Sequence, residues 1–142
     1  MLKSIKVRDY MTTKLITFRS DVDIFEAIKT LQINRISGAP VVDNNGQIVG
    51  ILSEGDCLKA IIKDIYYDKA GGKVSDFMST DIATIGPQDD IIGVAVEFQK
   101  QKRKRFPVLD DGELVGQISQ RDVLRAVIEI SQHPEHGEQK IQ

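Results

Sequence analysis

The chain has 142 residues, 41% of them hydrophobic and 28% charged, with a formal net charge of −2. Those values suit one compact globular body, and no global field is present to recruit nucleic acid or an anionic membrane. A single cysteine, Cys57, rules out an internal disulfide framework, and no apolar run approaches transmembrane length.

The elements follow in chain order. Met1 to Tyr10 carries no signal-peptide core. Ser20-Asp21-Val22-Asp23 is expected to open a helix, with Ser20 as N-cap and Asp23 reaching back to it. Ile24, Phe25, Ile28 and Leu31 then recur at helical spacing and should face a core. Gly38 and Pro40 end that helix region, and Pro40 to Asp43 reads as a short buried strand. Asn44-Asn45-Gly46 is a hairpin turn, and Gln47 to Leu52 is the return strand. Ser53 caps a second helix whose apolar stripe is Cys57, Leu58, Ile61 and Ile62. Cys57 is expected to be a small core residue in a reducing, cytoplasmic compartment. Gly71-Gly72 breaks the chain into a linker around Tyr67 to Lys73. Then come a strand at Ile82 to Ile85, a helix from about Gln88 to Lys102, and strands Val108-Leu109 and Leu114 to Ile118 around an Asp110-Asp111-Gly112 turn. Ser119 caps a last helix through Val123, Leu124 and Val127.

The chain therefore repeats itself. Val7 to Met11 (VRDYM) returns as Val74 to Met78 (VSDFM), and Ala39 to Asp56 returns as Phe106 to Asp122 with one residue deleted after Asp111. Two copies of a long period are too few for a solenoid. They predict two small units, each strand, helix, strand, strand, helix, that need each other to close a core. The expected division is 1–66 for the first unit, 67–130 for the second and 131–142 for a frayed polar tail.

The residues with the most chemistry are Gly50-Ile51-Leu52-Ser53-Glu54-Gly55-Asp56 and Gly116-Gln117-Ile118-Ser119-Gln120-Arg121-Asp122. Ser and Asp at this spacing form a capping box at a helix start. That accounts for Ser and Asp, but not for the glycine three residues before each Ser. The sharper reading is a nucleoside site. A carboxylate at a helix start can accept both hydroxyls of a ribose, and the helix N–H groups favour a phosphate.

Two copies of Val-x-Asp-aromatic-Met, Pro-Val-apolar-Asp, Gly-x-apolar-Val-Gly and Ser-x-x-Asp, in this order, resemble a tandem pair of cystathionine β-synthase (CBS) domains over about residues 5 to 130. The resemblance implies an α+β fold of two pseudo-symmetric units, each a small mixed sheet flanked by helices. It implies clefts between them for an adenosine-containing ligand such as AMP, ADP or ATP, with S-adenosylmethionine or NAD as alternatives. Carried over residue by residue, one cleft combines Ser53 and Asp56 with the Ala83 backbone, Lys104 and Arg105. The other combines Ser119 and Asp122 with the Ile16 backbone, Ser37 and Gly38, and Arg121 could reach a phosphate in either. The first cleft holds cations and the second has none at the matching positions, so the first should take phosphates better. The family also implies a homodimer, expected independently because a two-unit body cannot bury every apolar helix face.

Other candidates weigh less. Lys100 and Lys102 complement a helix C-terminus. Tyr66 and Tyr67 are expected to be packing residues. His133-Pro134-Glu135-His136 is not a metal pair, because Pro134 keeps the imidazoles off one helix face. With both histidines in the tail, no nucleophile–base arrangement survives, and no enzyme is expected. The expected function is sensing of an adenine nucleotide, passed on to an unknown effector protein. The alternative is a dimerisation or protein-interaction module with vestigial clefts. A third reading is nucleic-acid binding through Lys100 to Arg105, against which stand the negative net charge and the lack of interleaved aromatics.

Overall fold

The computed structural model describes residues 5–67 and 71–132. The expected tail, with its His133 and His136, lies outside them, apart from the first two residues, which continue the last helix. The chain divides into two compact units, and neither is a contiguous repeat. One is Leu15–Ile82; the other joins the chain up to Lys14 to the chain from Ala83 onward. We call the second the split unit. The expected boundary at 66/67 marks where the sequence repeats; the folded units are offset from it by a segment at each start.

The Leu15–Ile82 unit contains β1 (Phe18–Arg19), α1 (Ile24–Asn34), β2 (Gly38–Val42), β3 (Ile48–Ser53), α2 (Glu54–Tyr67) and the short α3 (Val74–Phe77). Its sheet has the order β1-β2-β3, parallel then antiparallel. The split unit contains a 3₁₀ turn (Val7–Asp9), α4 (Ile91–Lys100), β4 (Arg105–Asp110), β5 (Glu113–Ser119) and α5 (Gln120–Gln132). Here the expected first strand shrinks to a parallel bridge, Ile85 to Val108. The β4–β5 turn needs two residues with positive φ, and Asp111 (52°) and Gly112 (85°) supply them.

What joins each unit is an exchange of the Val-x-Asp-aromatic-Met segments. Val74 is fully buried in the core of the Leu15–Ile82 unit, beside Phe18, Ile24, Val41 and Leu52. Val7 is fully buried in the core of the split unit, beside Ile91, Phe106, Val108 and Ile118. The backbone contacts match. Ile24 N donates to Gly72 O (2.9 Å) and Val74 N to Val22 O (2.9 Å); Ile91 N donates to Ile5 O (2.8 Å) and Val7 N to Asp89 O (2.9 Å). A cation from the unit's long helix, α2 or α5, covers each motif's aromatic ring: Lys63 on Phe77 at 5.5 Å and Arg125 on Tyr10 at 5.1 Å.

This exchange corrects the expected helix starts. The cap of α1 is Asp23, not Ser20: its Oδ2 accepts from Phe25 N (3.0 Å) and Glu26 N (3.2 Å). Ser20 O and Val22 O instead accept from Ser75 N and Val74 N, which holds Ser20–Asp23 out of a helix. For the same reason α4 starts at Ile91, capped by Asp90, rather than near Gln88.

A second correction concerns helix faces. On α2, Cys57 and Ala60 are buried, but Leu58 and Ile62 of the expected core stripe are 60% and 51% exposed. With Ile65 they form an outer stripe at i, i+4, i+7. Leu124 (67% exposed) and Ile128 do the same on α5. Tyr66 and Tyr67 are exposed rather than packed.

Burial pushes the Cys57 thiol above its ordinary value of 9.0. Burial, then neighbouring Glu129, pushes the Tyr10 phenol above 10.0. Both groups hold their protons more tightly folded than unfolded. The stability they contribute is complete below the unfolded values and lost as pH rises through the folded ones. Melting temperature should therefore decline from about pH 9 upward, less steeply in Cys57→Ala; an equal slope in that variant would remove Cys57 from the account.

Candidate functional site

The two Ser-x-x-Asp junctions fold alike. Ser53 N donates to Asp56 Oδ2 (2.9 Å), Asp56 N donates to Ser53 Oγ (3.2 Å), and Ser53 Oγ donates to Asp56 Oδ2 (3.0 Å). Ser119 N donates to Asp122 Oδ2 (2.9 Å) and Asp122 N to Ser119 Oγ (3.2 Å). Each junction is a capping box at the start of a long helix, α2 or α5. In both, the box engages Oδ2 and leaves Oδ1 outside it. Asp122 Oδ1 lies 3.5 Å from Arg125 Nη2. Arg125 also donates to Tyr10 O (3.2 Å), tying this junction to the exchanged N-terminal segment.

The glycine that capping could not explain now has a cause. A Cβ on Gly50 would sit 2.6 Å from Met78 Sδ and 2.9 Å from Ser79 O. A Cβ on Gly116 would sit 2.8 Å from Met11 Sδ and 2.8 Å from Thr12 O. The exchanged segment runs against the strand there, through the bridges Ile51–Ser79 and Thr12–Gln117. Both glycines thus serve the fold. The signal was in the sequence, as the joint repetition of Gly and Met, but only the exchange connects them.

Ladder register places the remaining site residues. Gly38 lies opposite Ser53, and Arg105 opposite Ser119. Residues directly opposite, and those two apart, share one sheet face. So Gly38, Pro40, Ile51 and Ser53 share a face in one unit, and Arg105, Pro107, Gln117 and Ser119 share the matching face in the other. In the split unit, Phe106, Val108, Gly116 and Ile118 take the opposite, core-facing side. Glu54 N donates to Ser37 O (2.9 Å), and Gln120 Nε2 to Arg103 O (3.4 Å), which fastens each helix start to the segment before β2 or β4.

Each unit by itself therefore gathers one set. Ile16, Ser37, Gly38, Ser53 and Asp56 belong to the Leu15–Ile82 unit; Ala83, Lys104, Arg105, Ser119, Arg121 and Asp122 belong to the split unit. Ile16 and Ala83 each precede the paired first-strand residue, Phe18 or Ile85, by two positions. Inside a unit the cations Lys104 and Arg105 accompany Ser119 and Asp122, whereas the sequence expectation joined them to Ser53 and Asp56. Sequence reasoning passed over Gln117, which stands where the other unit has Ile51. Its Oε1 is buried without a hydrogen-bond partner among the described residues.

Among the described residues no group of three or more His, Cys, Asp or Glu could hold a metal ion. No helix among them is long and apolar enough to cross a membrane.

Comparison with known proteins follows the same repeat. The family model described as CBS domain matches residues 7–63 and 74–129. The protein CBSX2 of Arabidopsis thaliana, solved in complex with AMP, superposes with a TM-score of 0.79 at 27% identity, over 89% of this chain and 98% of that one. The CBS domain pair of protein MJ0100, solved with 5′-methylthioadenosine and S-adenosyl-L-methionine, gives 0.78 at 26% identity, over 89% and 98%. The uncharacterized protein MJ1225 of Methanocaldococcus jannaschii is 29% identical over 119 residues, 84% of this chain and 41% of that protein. The chain spans less than half the length of the curated relatives that match first.

Proposed function

This chain belongs to the CBS domain family, as a tandem pair of the regulatory ligand-binding module, and from that premise we propose that it senses an adenine nucleotide. The observation that carries the reading is the twice-built junction of a Ser-x-x-Asp box, a helix N-terminus and a carboxylate oxygen outside the box, Oδ1 of Asp56 or of Asp122, the latter paired with Arg125 at 3.5 Å. A ribose can donate two hydroxyls to such a carboxylate, while the helix start favours the attached phosphate. Two solved relatives carry ligands of this class, AMP in one and 5′-methylthioadenosine with S-adenosyl-L-methionine in the other. The chain acts as a sensor and not as an enzyme, and it passes occupancy to an effector by favouring one geometry over another.

A thermal-shift panel of AMP, ADP, ATP, S-adenosylmethionine and 5′-methylthioadenosine tests this. A ligand present at a hundred times its Kd should add about 2.7 kcal/mol, a rise of several degrees. Asp56→Asn and Asp122→Asn remove a charged acceptor and should weaken binding about tenfold to a hundredfold at their own sites. Alanine at either position should also cost about 1 kcal/mol through the cap. A variant that melts much earlier yet binds normally would reduce its junction to a capping box.

The outer stripes on α2 and α5 support a second element of the reading, a homodimer closed through helices. Shallow apolar grooves run beside them, between α1 and α2 at Ile28, Leu31, Leu58 and Ile61, and between α4 and α5 at Ala95, Phe98, Val123 and Leu124. Light scattering should give twice the chain mass at micromolar concentration, and Leu58→Glu/Leu124→Glu should halve it. A monomeric wild type would leave the stripes without this role. If no nucleotide binds while the dimer persists, the interaction-module reading replaces the sensor.

A further inference from the structure

Resting on the nucleotide reading, we infer that the two Ser-x-x-Asp sites take ligands of different charge: a nucleoside phosphate at Ser119/Asp122, and an uncharged or sulfonium nucleoside at Ser53/Asp56. The pseudo-symmetry allows a position-by-position comparison. Opposite the site serine stands Arg105 in the split unit and Gly38 in the Leu15–Ile82 unit. One residue earlier stand Lys104 and Ser37. Within the helix start, Gln120 and Arg121 stand where the other unit has Glu54 and Gly55. At these compared positions one unit thus carries three cations, and the other a single carboxylate beyond its site aspartate.

Sign decides the ligand because both sites share the rest. Each has the backbone-to-side-chain bonds of the same box, the same helix start and a carboxylate oxygen outside the box, all of which suit a ribose. A phosphate adds negative charge that must leave water. A cation on the same sheet face as the site serine offsets that cost, and Arg105 can pair with two phosphate oxygens at once. At Ser53/Asp56, Glu54 repels a phosphate and favours a neutral or positive group. The sheet faces also differ in a way that bears on the uncharged part of the ligand. Ile51 offers only apolar contact, whereas buried Gln117 Oε1 has no partner among the described residues and would accept a hydrogen bond from a ligand donor such as an amino group.

AMP and 5′-methylthioadenosine share base and ribose and differ at the 5′ position, a phosphate in one and an uncharged methylthio group in the other, so calorimetric titration of the whole chain with each is the test. Asp122→Asn should raise the Kd of AMP at least tenfold and leave that of 5′-methylthioadenosine within about twofold; Asp56→Asn should do the reverse. Arg105→Gln, which leaves both capping boxes intact, should weaken AMP about tenfold and make its binding less salt-dependent. Loss of AMP in Asp56→Asn but not in Asp122→Asn overturns the assignment, as does an Arg105→Gln chain that binds AMP normally. If both ligands bind the wild type but every variant affects them equally, only this inference fails. If neither ligand binds, the nucleotide reading fails and takes the inference with it.

Discussion

Cut at the repeat boundary, the chain should not fold. Fragments 1–66 and 67–142 are each expected to show no cooperative thermal transition, and mixing them at equal concentration should restore one. The first fragment holds most of the Leu15–Ile82 unit but lacks Val74, Phe77 and Met78, and Val74 is fully buried in that unit's core. The second lacks Ile5 and Val7, and so the matching piece of the split unit. Each buried aliphatic side chain removed from a core costs about 2–5 kcal/mol with its cavity, against a total stability of about 5–15 kcal/mol for an ordinary domain. Units of this size begin near the lower end of that range. The sharper comparison is a fragment of nearly the same length, Leu15–Ile82, which contains its whole unit. It should unfold more cooperatively than 1–66 in circular-dichroism melts. If 1–66 proves the more stable of the two, the exchange of segments does not organise the fold.

The second large effect should follow from one methyl group. Gly50→Ala and Gly116→Ala are each expected to destabilise the chain by about 1–3 kcal/mol, the usual range for overpacking a filled site. The contact with Met78 or Met11 could be relieved, because a thioether is flexible. The contact with Ser79 O or Thr12 O is with backbone held in a bridge, and can be relieved only by opening the bridge. Gly50→Ala/Met78→Ala should therefore recover only part of the loss relative to Met78→Ala alone. Denaturant midpoints of the four chains would measure this coupling. Full recovery would mean that the side chain alone sets the requirement for glycine. Wild-type stability in Gly50→Ala would mean that the strand and the exchanged segment do not run so close.

Most local structure is legible in the sequence. The Asp110-Asp111-Gly112 turn is a two-residue turn with both φ angles positive. Ser53 and Ser119 cap their helices, and Cys57 is buried. These features depend on a few neighbouring residues, so neighbouring residues reveal them. Two features depend on more than neighbouring residues. Ser20 looked like a cap because Ser-x-x-Asp is a capping pattern, but backbone bonds from Val74 and Ser75 claim that stretch. Leu58, Ile62 and Leu124 looked like core because apolar periodicity cannot tell an inward stripe from an outward one on a helix apolar on two sides.

By itself, then, the sequence determined the repeat, the family and the capping chemistry of both junctions, since those lie in residue types at short and regular spacing. Only the tertiary structure decided which segments make a unit. The two repeats are so alike that Val7 to Met11 and Val74 to Met78 carry no local mark of where each will pack, and the partners lie far along the chain. That decision carried two others with it. It showed why a glycine precedes each site serine, through methionines 28 residues away in one unit and 105 in the other. It also set Arg105 beside Ser119 through a hairpin register, in which a slip of one residue would have turned the arginine to the other face of the sheet.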